Sequence, residues 1–525
     1  MGHVASGQHS VLLDGDLMLG GLFPVHEKGE GTPCSATLYN RGLQRLEAML
    51  FAVDQINGDP ELLPHISIGV NILDTCSTDT YALNQSLEYI KASMDVMDTM
   101  AFECDDGSTP RPKYRTKAVS GVIGGSYSTI SINAANLFRL FRIPQISPAS
   151  TAQVLSDKSR FEFFARTVPP DTFQATALVD MVQLFNWSYV SSVASEGSYG
   201  ESGMDAFHRQ AAERNICVAV AEKVPRDATA KTFETIVMNL RKKPMARGVI
   251  LFVRAEDARG LLAAAKRLQL GQSFYWIASD GWGKQESLVQ GVEEVAEGAI
   301  TVELTSKHIP AFDAYMASLT PDNNARNPWF REYWEAFFDC PLEPAASNIT
   351  CDPDLRLLPE NGFVQESKVQ FVIDAVYAFA YALQTLQLEV CGNAYYVCPG
   401  MRKYDGGAFY KRYLLSVSFT DLAGSKVMFD ERGDGLARYT IFNYQRSADG
   451  AHRYKVIGRW EGELFMSPGD VQWNPGSEPT APATEHAWTD MDEHVHVDFG
   501  LRRHRSAGSS RQQSIAEEAG AVSEH

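Results

Sequence analysis

The 525-residue chain has no run of about 18 uncharged apolar residues, so it offers no sequence that reads as a membrane span. Even "VQFVIDAVYAFAYALQTLQL", Val369 to Leu388, contains Gln370 and Asp374 and reads as a buried helix. The opening "MGHVASGQHSVLLDGDL" has no basic stretch followed by an apolar one, so no signal peptide is visible. Positive charge is also in deficit, with 47 Lys+Arg against 65 Asp+Glu and a net charge of -18. That balance repels phosphate backbones and argues against a nucleic-acid partner; any anion it binds must be small and locally gripped. No C-x-x-C pair or zinc-finger spacing occurs among the eight cysteines, which argues against structural zinc. G-x-S-x-G and H-E-x-x-H are missing, and none of the 12 histidines sits in a constellation with Ser or Cys, so no catalytic set emerges. "HVH", His494 to His496, falls in a polar tail expected to be disordered. Neither a metal nor a cofactor is expected.

What is present is a repeated alternation of short β-rich apolar runs with amphipathic segments. "DLMLGGLF", "HISIGVNIL", "AVSGVIGG", "IPQISPAS", "SYVSSVAS", "ARGVILFV" and "FYWIASD" are each followed by a helical pattern, or nearly so. This is repeated βαβ, an α/β architecture of parallel sheets covered by helices. The length implies two or three domains. "RTVPPDTFQ", Arg166 to Gln174, breaks the chain after the first strands, and a fresh βα series follows. "FDERGDGLARYTIFNYQ" and "YKVIGRWEGELF" look antiparallel, an order that suits two lobes with several crossings. "DTMAFECDDGSTPRPKYRTK", Asp98 to Lys117, reads as a long mobile loop. Cys391 and Cys398 are spaced to close a short disulfide loop, and acceptor sequons stand at Asn84, Asn186 and Asn348, the first inside a helical pattern. An oxidising, extracellular setting fits these features better than the alternative, a cytosolic enzyme with buried thiols.

Candidate site residues gather at predicted strand ends, where α/β sheets hold ligands. "GVIGGSYS", Gly121 to Ser128, places glycines before a helix, as anion cradles do. Ser126 stands where a P-loop needs Lys, and a third Rossmann glycine is missing. Helix-start amides beside the hydroxyls of Ser126, Tyr127 and Ser128 suit a carboxylate instead. "IPQISPAST" has the same grammar and delivers Ala149, Ser150 and Thr151 to what reads as the next helix start. The plainer reading of both stretches is helix capping. "IASDGWG" puts Asp280 where it would receive an ammonium group, unless it only forms a turn with Gly281. Tyr199 offers a ring face to a cation, or simply packs half-buried. Arg41 and Arg45, four apart on one helix face, invite an anion between them, although Glu47 and solvent are a bland alternative.

These stretches, with "GGLFPVHEKG", "RGLQRLEAMLFAVDQIN", "ASDGWG", "NPWFREYWE" and "MFDERGDGLARY", resemble the extracellular glutamate-binding domain of metabotropic glutamate receptors, class C G-protein-coupled receptors, most closely the group II type. The resemblance runs from about Gly15 to Trp473 and implies a bilobal Venus-flytrap fold of the periplasmic-binding-protein-like type. It implies one lobe from 15–171 and 305–433 and another from 172–304 and 434–473, with a disordered 1–14 and a disordered, divergent tail at 474–525. Carried over by residue, it gives the α-carboxylate of L-glutamate to Ser128 and Thr151. The ammonium falls to Asp280, Ala149, Thr151 and Tyr199, and the distal carboxylate to Arg41, Arg45 and Lys368. Arg254 and Glu256 close over the ligand, and Ser126, Tyr127, Ser150, Asp171 and Gly281 complete the expected set. Three cations around one distal carboxylate reject apolar amino acids, since an unpaired buried charge costs about 2–5 kcal/mol. Pro148 departs from the family pattern before "AST".

The resemblance also implies disulfides Cys34–Cys76, Cys340–Cys351 and Cys391–Cys398, an interprotomer bridge through Cys104 in a homodimer, and glycosylation at Asn186 and Asn348. Cys217 is left over, its usual partner lying in a cysteine-rich linker. No such linker follows Trp473, so a truncated isoform, incomplete gene model or isolated domain is expected, with G-protein coupling only through a membrane domain that is absent. The function expected is therefore a non-enzymatic glutamate sensor at the extracellular face of the plasma membrane. The alternative is a soluble amino-acid-binding decoy or carrier.

Overall fold

A computed structural model describes residues 10–38, 40–93, 117–343, 350–392 and 395–474. The first lobe is built on β1 (Ser10–Leu13), β2 (Leu17–Phe23), a ribbon of β3 (His26–Lys28) and β4 (Cys34–Leu38), then β5 (Ile68–Asp74), β6 (Val119–Gly124), β7 (Gln145–Ser147) and β8 (Phe164–Arg166). Its six-stranded sheet has the order β1-β5-β2-β6-β7-β8. All neighbours are parallel except β1, which runs antiparallel to β5. Every residue of β2 is buried, the mark of a strand covered on both faces. One cover is the helix Asn40–Gly58, another the long helix Val369–Cys391, which approaches so closely that a Cβ on Gly121 would meet the Phe379 ring at 2.2 Å. That long helix is apolar enough to cross a membrane by length and composition, yet 78% of its apolar window is buried in the first-lobe core.

The second lobe holds β9 (Tyr189–Ser195), β10 (Cys217–Val224), β11 (Gly248–Phe252), β12 (Tyr275–Ala278) and β13 (Ile300–Leu304). After an isolated hairpin, β14 (Ser418–Thr420) and β15 (Lys426–Met428), come β16 (Tyr439–Arg446), β17 (His452–Trp460) and β18 (Leu464–Met466). The eight-stranded sheet runs β10-β9-β11-β12-β13-β16-β17-β18, parallel as far as β13 and antiparallel beyond it. The segments that read as antiparallel thus form β16, β17 and β18, which extend a parallel sheet with antiparallel pairing.

The chain passes between the sheets after β8, after β13 and before β16. The passages lie side by side: the Arg166 amide donates to Gly433, Gly435 to Val168 and Thr305 to Arg438. Three connections, hydrogen-bonded side by side, join the two lobes.

Two expectations need correction. Residues 1–14 are not wholly unstructured, because Ser10–Leu13 forms β1; Val11 is buried and Leu12 exposed, the alternation of an edge strand too short to be legible alone. The "PAST" turn does not open an α-helix but leads into a four-residue 3₁₀ turn, Gln153–Ser156. Cys34–Cys76, Cys340–Cys351 and Cys391–Cys398 are disulfides, and Cys217 is a free thiol. Asn186 is exposed in the turn before β9, and Asn84 is exposed on the helix Asp79–Ser93. Cys104, the expected loop at 98–116, Asn348 and the tail from 475 lie outside the described residues.

Candidate ligand-binding cleft

The expected residues converge at the carboxyl ends of the strands of both sheets. At the end of β6, Gly124 has φ +120, and a Cβ there would strike the Leu22 carbonyl at 2.2 Å, so only glycine makes this turn. The helix Ser128–Leu140 follows, and its N-cap residue is Tyr127, whose side chain makes no capping bond. The serines are therefore not helix caps. Ser126 is 7% exposed and its Oγ has no hydrogen-bond partner among the described residues, whereas Ser128 Oγ accepts from the Ala152 amide at 3.2 Å.

β7 lies beside β6, with Val122 opposite Gln145, and this adjacency brings the two hydroxyl-bearing turns together. Ser147 Oγ accepts from the amides of Ala149 and Ser150, a side-chain turn that replaces helix capping. The Ser150 hydroxyl donates to the Gly125 carbonyl at 3.0 Å and meets Ser131 Oγ at 2.8 Å. It therefore ties the turns to each other instead of facing a ligand. Thr151, 5% exposed, lies beside the first crossing, its carbonyl accepting from the Asp171 amide at 2.8 Å.

Asp171 opens the helix Asp171–Leu184 and is 1% exposed, with no hydrogen-bond partner for Oδ2 among the described residues. Burial pushes its carboxyl up to about 8, and the nearby Asp280 carboxylate adds to this; a hydrogen bond from Thr151 and the charges of Arg166 and Lys368 pull the other way.

From the second lobe, Asp280 projects beyond β12 and accepts from the Tyr199 hydroxyl at 2.8 Å. Tyr199, in the first turn of the helix Ser198–Glu213, accepts in turn from the Gly281 amide at 3.0 Å and meets Ser279 Oγ at 2.8 Å. Burial first, then Asp280, raises its phenol well above the usual range. Gly281 is required because a Cβ would meet the Val253 carbonyl at 2.1 Å.

Lys368, at the start of the long first-lobe helix, crosses to the second lobe. Its Nζ lies 3.6 Å from Asp280 Oδ2 and 5.7 Å from the Phe371 ring centroid, buried and without a hydrogen-bond acceptor among the described residues. A further contact across the cleft runs from the Gln153 amide to Ser202 Oγ at 3.2 Å.

Arg45 and Arg41 behave differently from one another. Arg45 is buried, and its guanidinium forks onto Glu366, Nη2 to Oε1 at 2.7 Å and Nε to Oε2 at 3.2 Å. The anion that the arginine pair called for is thus supplied in part by the chain itself. Burial alone would raise the Glu366 carboxyl, but the charge and hydrogen bonds of Arg45, with Arg41 and Lys368 nearby, hold it below the usual range. Arg41 is partly exposed and makes no ion pair among the described residues. Arg254 and Glu256 lie at the second-lobe rim, Nη1 to Oε1 at 3.3 Å; Arg254 is also held by Asp257 at 3.0 Å.

Sequence reasoning missed Glu366 and Asp257. Asp257 is three residues from Arg254 on a helix and was open to a spacing argument; Glu366 is 321 residues from Arg45, and no local pattern connects them. A separate cavity of about 330 Å³ lies behind the crossings, lined by Thr167, Lys307, Gln370, Phe371, Asp374 and Arg438. Of the expected ligand residues none lines it.

Two largely parallel sheets, three crossings and polar residues converging on the cleft define a two-lobed ligand-binding fold. The chain matches the family described as "Receptor family ligand binding region" over residues 44–447. It is 56% identical over 521 residues to "Metabotropic glutamate receptor" of Drosophila melanogaster, covering 90% of this chain and 53% of that protein. It is 46% identical over 488 residues to "Metabotropic glutamate receptor 8" of Mus musculus and of Homo sapiens, covering 92% of this chain and 53% of each. The chain belongs to this receptor family, as a ligand-binding region of the metabotropic glutamate receptor type with the periplasmic-binding-protein-like, Venus-flytrap fold. It spans about half the length of the curated relatives it matches.

Proposed function

We propose that this chain binds L-glutamate in the cleft between its lobes and that binding favours the closed arrangement. The observation that carries the reading is the set of buried polar atoms around one cleft that have no hydrogen-bond partner among the described residues, Ser126 Oγ, Lys368 Nζ and Asp171 Oδ2. Buried polar groups left unpaired cost about 1–3 kcal/mol each, a cost that a zwitterionic ligand offsets by pairing with them. The amide and hydroxyl of Thr151, with Ser128, take the α-carboxylate. Asp280 and the Ala149 carbonyl take the ammonium, with the Tyr199 ring beside it, and Asp171 adds a second carboxyl on that side. Lys368 and Arg41 take the distal carboxylate, with Arg45 contributing from its pair with Glu366. Ser126, Tyr127, Gly281, Arg254 and Glu256 shape or close the rim.

The lobes are taken as 15–171 with 305–433 and 172–304 with 434–473. Because their groups meet on one ligand, glutamate binds the closed form better and shifts the hinge equilibrium toward it. No bond is made or broken. In the longer receptor this closure, in a homodimer facing the extracellular side, drives a G protein. Exposed apolar side chains on the first lobe, Leu83, Leu87, Leu140 and Phe141, suit such a dimer contact. With Cys104 as the bridge, Cys104→Ser is expected to abolish a disulfide-linked dimer on a non-reducing gel; an unchanged gel would count against that bridge.

Titration calorimetry with glutamate, aspartate, glutamine and leucine tests the reading. Glutamate is expected to bind tightest and leucine not measurably. Equal affinity for glutamine and glutamate would remove the distal-carboxylate assignment.

A further inference from the structure

Arg166, the last residue of β8, is fully buried and is not itself among the expected ligand residues, yet its side chain makes four hydrogen bonds. Nε donates to Asp434 Oδ1 at 2.7 Å; Nη1 donates to the carbonyls of Ser150 at 3.1 Å and Ala152 at 3.0 Å; Nη2 donates to Ser156 Oγ. Ser156 Oγ in turn donates to Asp434 Oδ2 at 2.7 Å, closing the ring. Asp434 belongs to the segment that enters the third crossing, and the Arg166 amide also donates to the Gly433 carbonyl next to it.

A trans peptide is planar, so its C=O and the following N–H point in opposite directions. Holding the Ser150 carbonyl therefore aims the Thr151 amide away from Arg166, and holding the Ala152 carbonyl aims the Gln153 amide. The Gln153 amide is the group that reaches Ser202 Oγ on the opposite lobe. One side chain thus orients an amide proposed to meet the ligand, an amide that meets the other lobe, and a hinge segment. Only a planar fork with several donors does this; an ammonium at the same place is a single point charge.

We propose that Arg166 is a positioning residue for ligand binding, aiming the Thr151 and Gln153 amides and tying them to the hinge through Asp434. The role in affinity rests on the glutamate-binding reading above; the orientation of the turn does not. Two measurements on the intact chain keep the two apart. In the first, hydrogen exchange without ligand, Arg166→Lys is expected to speed exchange across 149–156 while leaving the strands of the second sheet protected. Unchanged exchange there overturns the proposal whether or not glutamate binds.

In the second, calorimetry with glutamate, Arg166→Lys is expected to weaken binding by about tenfold or more. In double-mutant cycles its effect should be non-additive with Thr151→Ala and additive with Arg45→Ala, which lies at the other end of the ligand. A merely structural role would give the same additivity with both, and that result, or unchanged affinity, overturns the proposal. Should Arg166→Lys fail to fold, Ser156→Ala replaces it, with the same pattern at about threefold and the same contrary results. Wild-type chain that binds no glutamate, with exchange altered as expected, counts against the glutamate reading alone.

Discussion

Asp171 and Arg45 show what a single residue does when burial and charge compete. Asp171 keeps its proton near neutrality because its site is dry and faces Asp280, with its carboxyl pushed up to about 8. A ligand ammonium placed between these carboxyls favours the ionised form, so glutamate binding at pH 7 should release protons. The slope of binding enthalpy against buffer ionisation enthalpy measures that release, and Asp171→Asn should abolish most of it. The sign for stability follows from linkage. An aspartate raised above its ordinary 3.8 loses its proton first in the unfolded chain. Unliganded stability should therefore fall as pH rises from about 4 through about 8, and fall less in Asp171→Asn. The types of most of these residues were legible in the sequence, because Ser, Thr, Asp and Tyr stand at strand ends. Their partners were not: Arg45 with Glu366, and Arg166 with Asp434, are separated by 321 and 268 residues and are joined only by the fold.

Among the elements, periodicity told most where burial is two-sided or alternation sustained. "DLMLGGLF", "SYVSSVAS" and "ARGVILFV" appear as β2, β9 and β11. The long run from Val369 is a buried helix, as Gln370 and Asp374 within it had suggested. Local pattern failed at β1, too short to show a period, and at "PAST", where the Ser147 hydroxyl closes a side-chain turn that competes with helix formation. The glycines of "GVIGGSYS" read as part of an anion cradle; at Gly124 the requirement is steric, since the chain must turn against the Leu22 carbonyl with positive φ. Gly124→Ala should accordingly cost about 1–3 kcal/mol in urea unfolding and weaken glutamate binding through the displaced Ser126–Ser128 turn. A wild-type midpoint with wild-type affinity would show that the turn tolerates a side chain.

At the scale of the whole molecule, the two lobes have separate sheets and largely separate cores but share one cleft, bridged by Lys368 and Asp280 at 3.6 Å. The repeated βαβ pattern and the Pro-Pro break announced two lobes. That three passages lie hydrogen-bonded side by side was not legible, because it depends on pairings such as Thr305 with Arg438. In the proposed reading a contact made by both lobes favours closure, since a ligand moves an equilibrium only by its differential affinity for the two states. The central claim is that glutamate is held from both sides at once. Calorimetric titration of glutamate into wild type, Thr151→Ala on the first lobe and Asp280→Asn on the second tests it most directly. Each substitution should weaken binding by about tenfold or more while the unliganded protein stays folded. Wild-type affinity in either variant would contradict a ligand shared between the lobes.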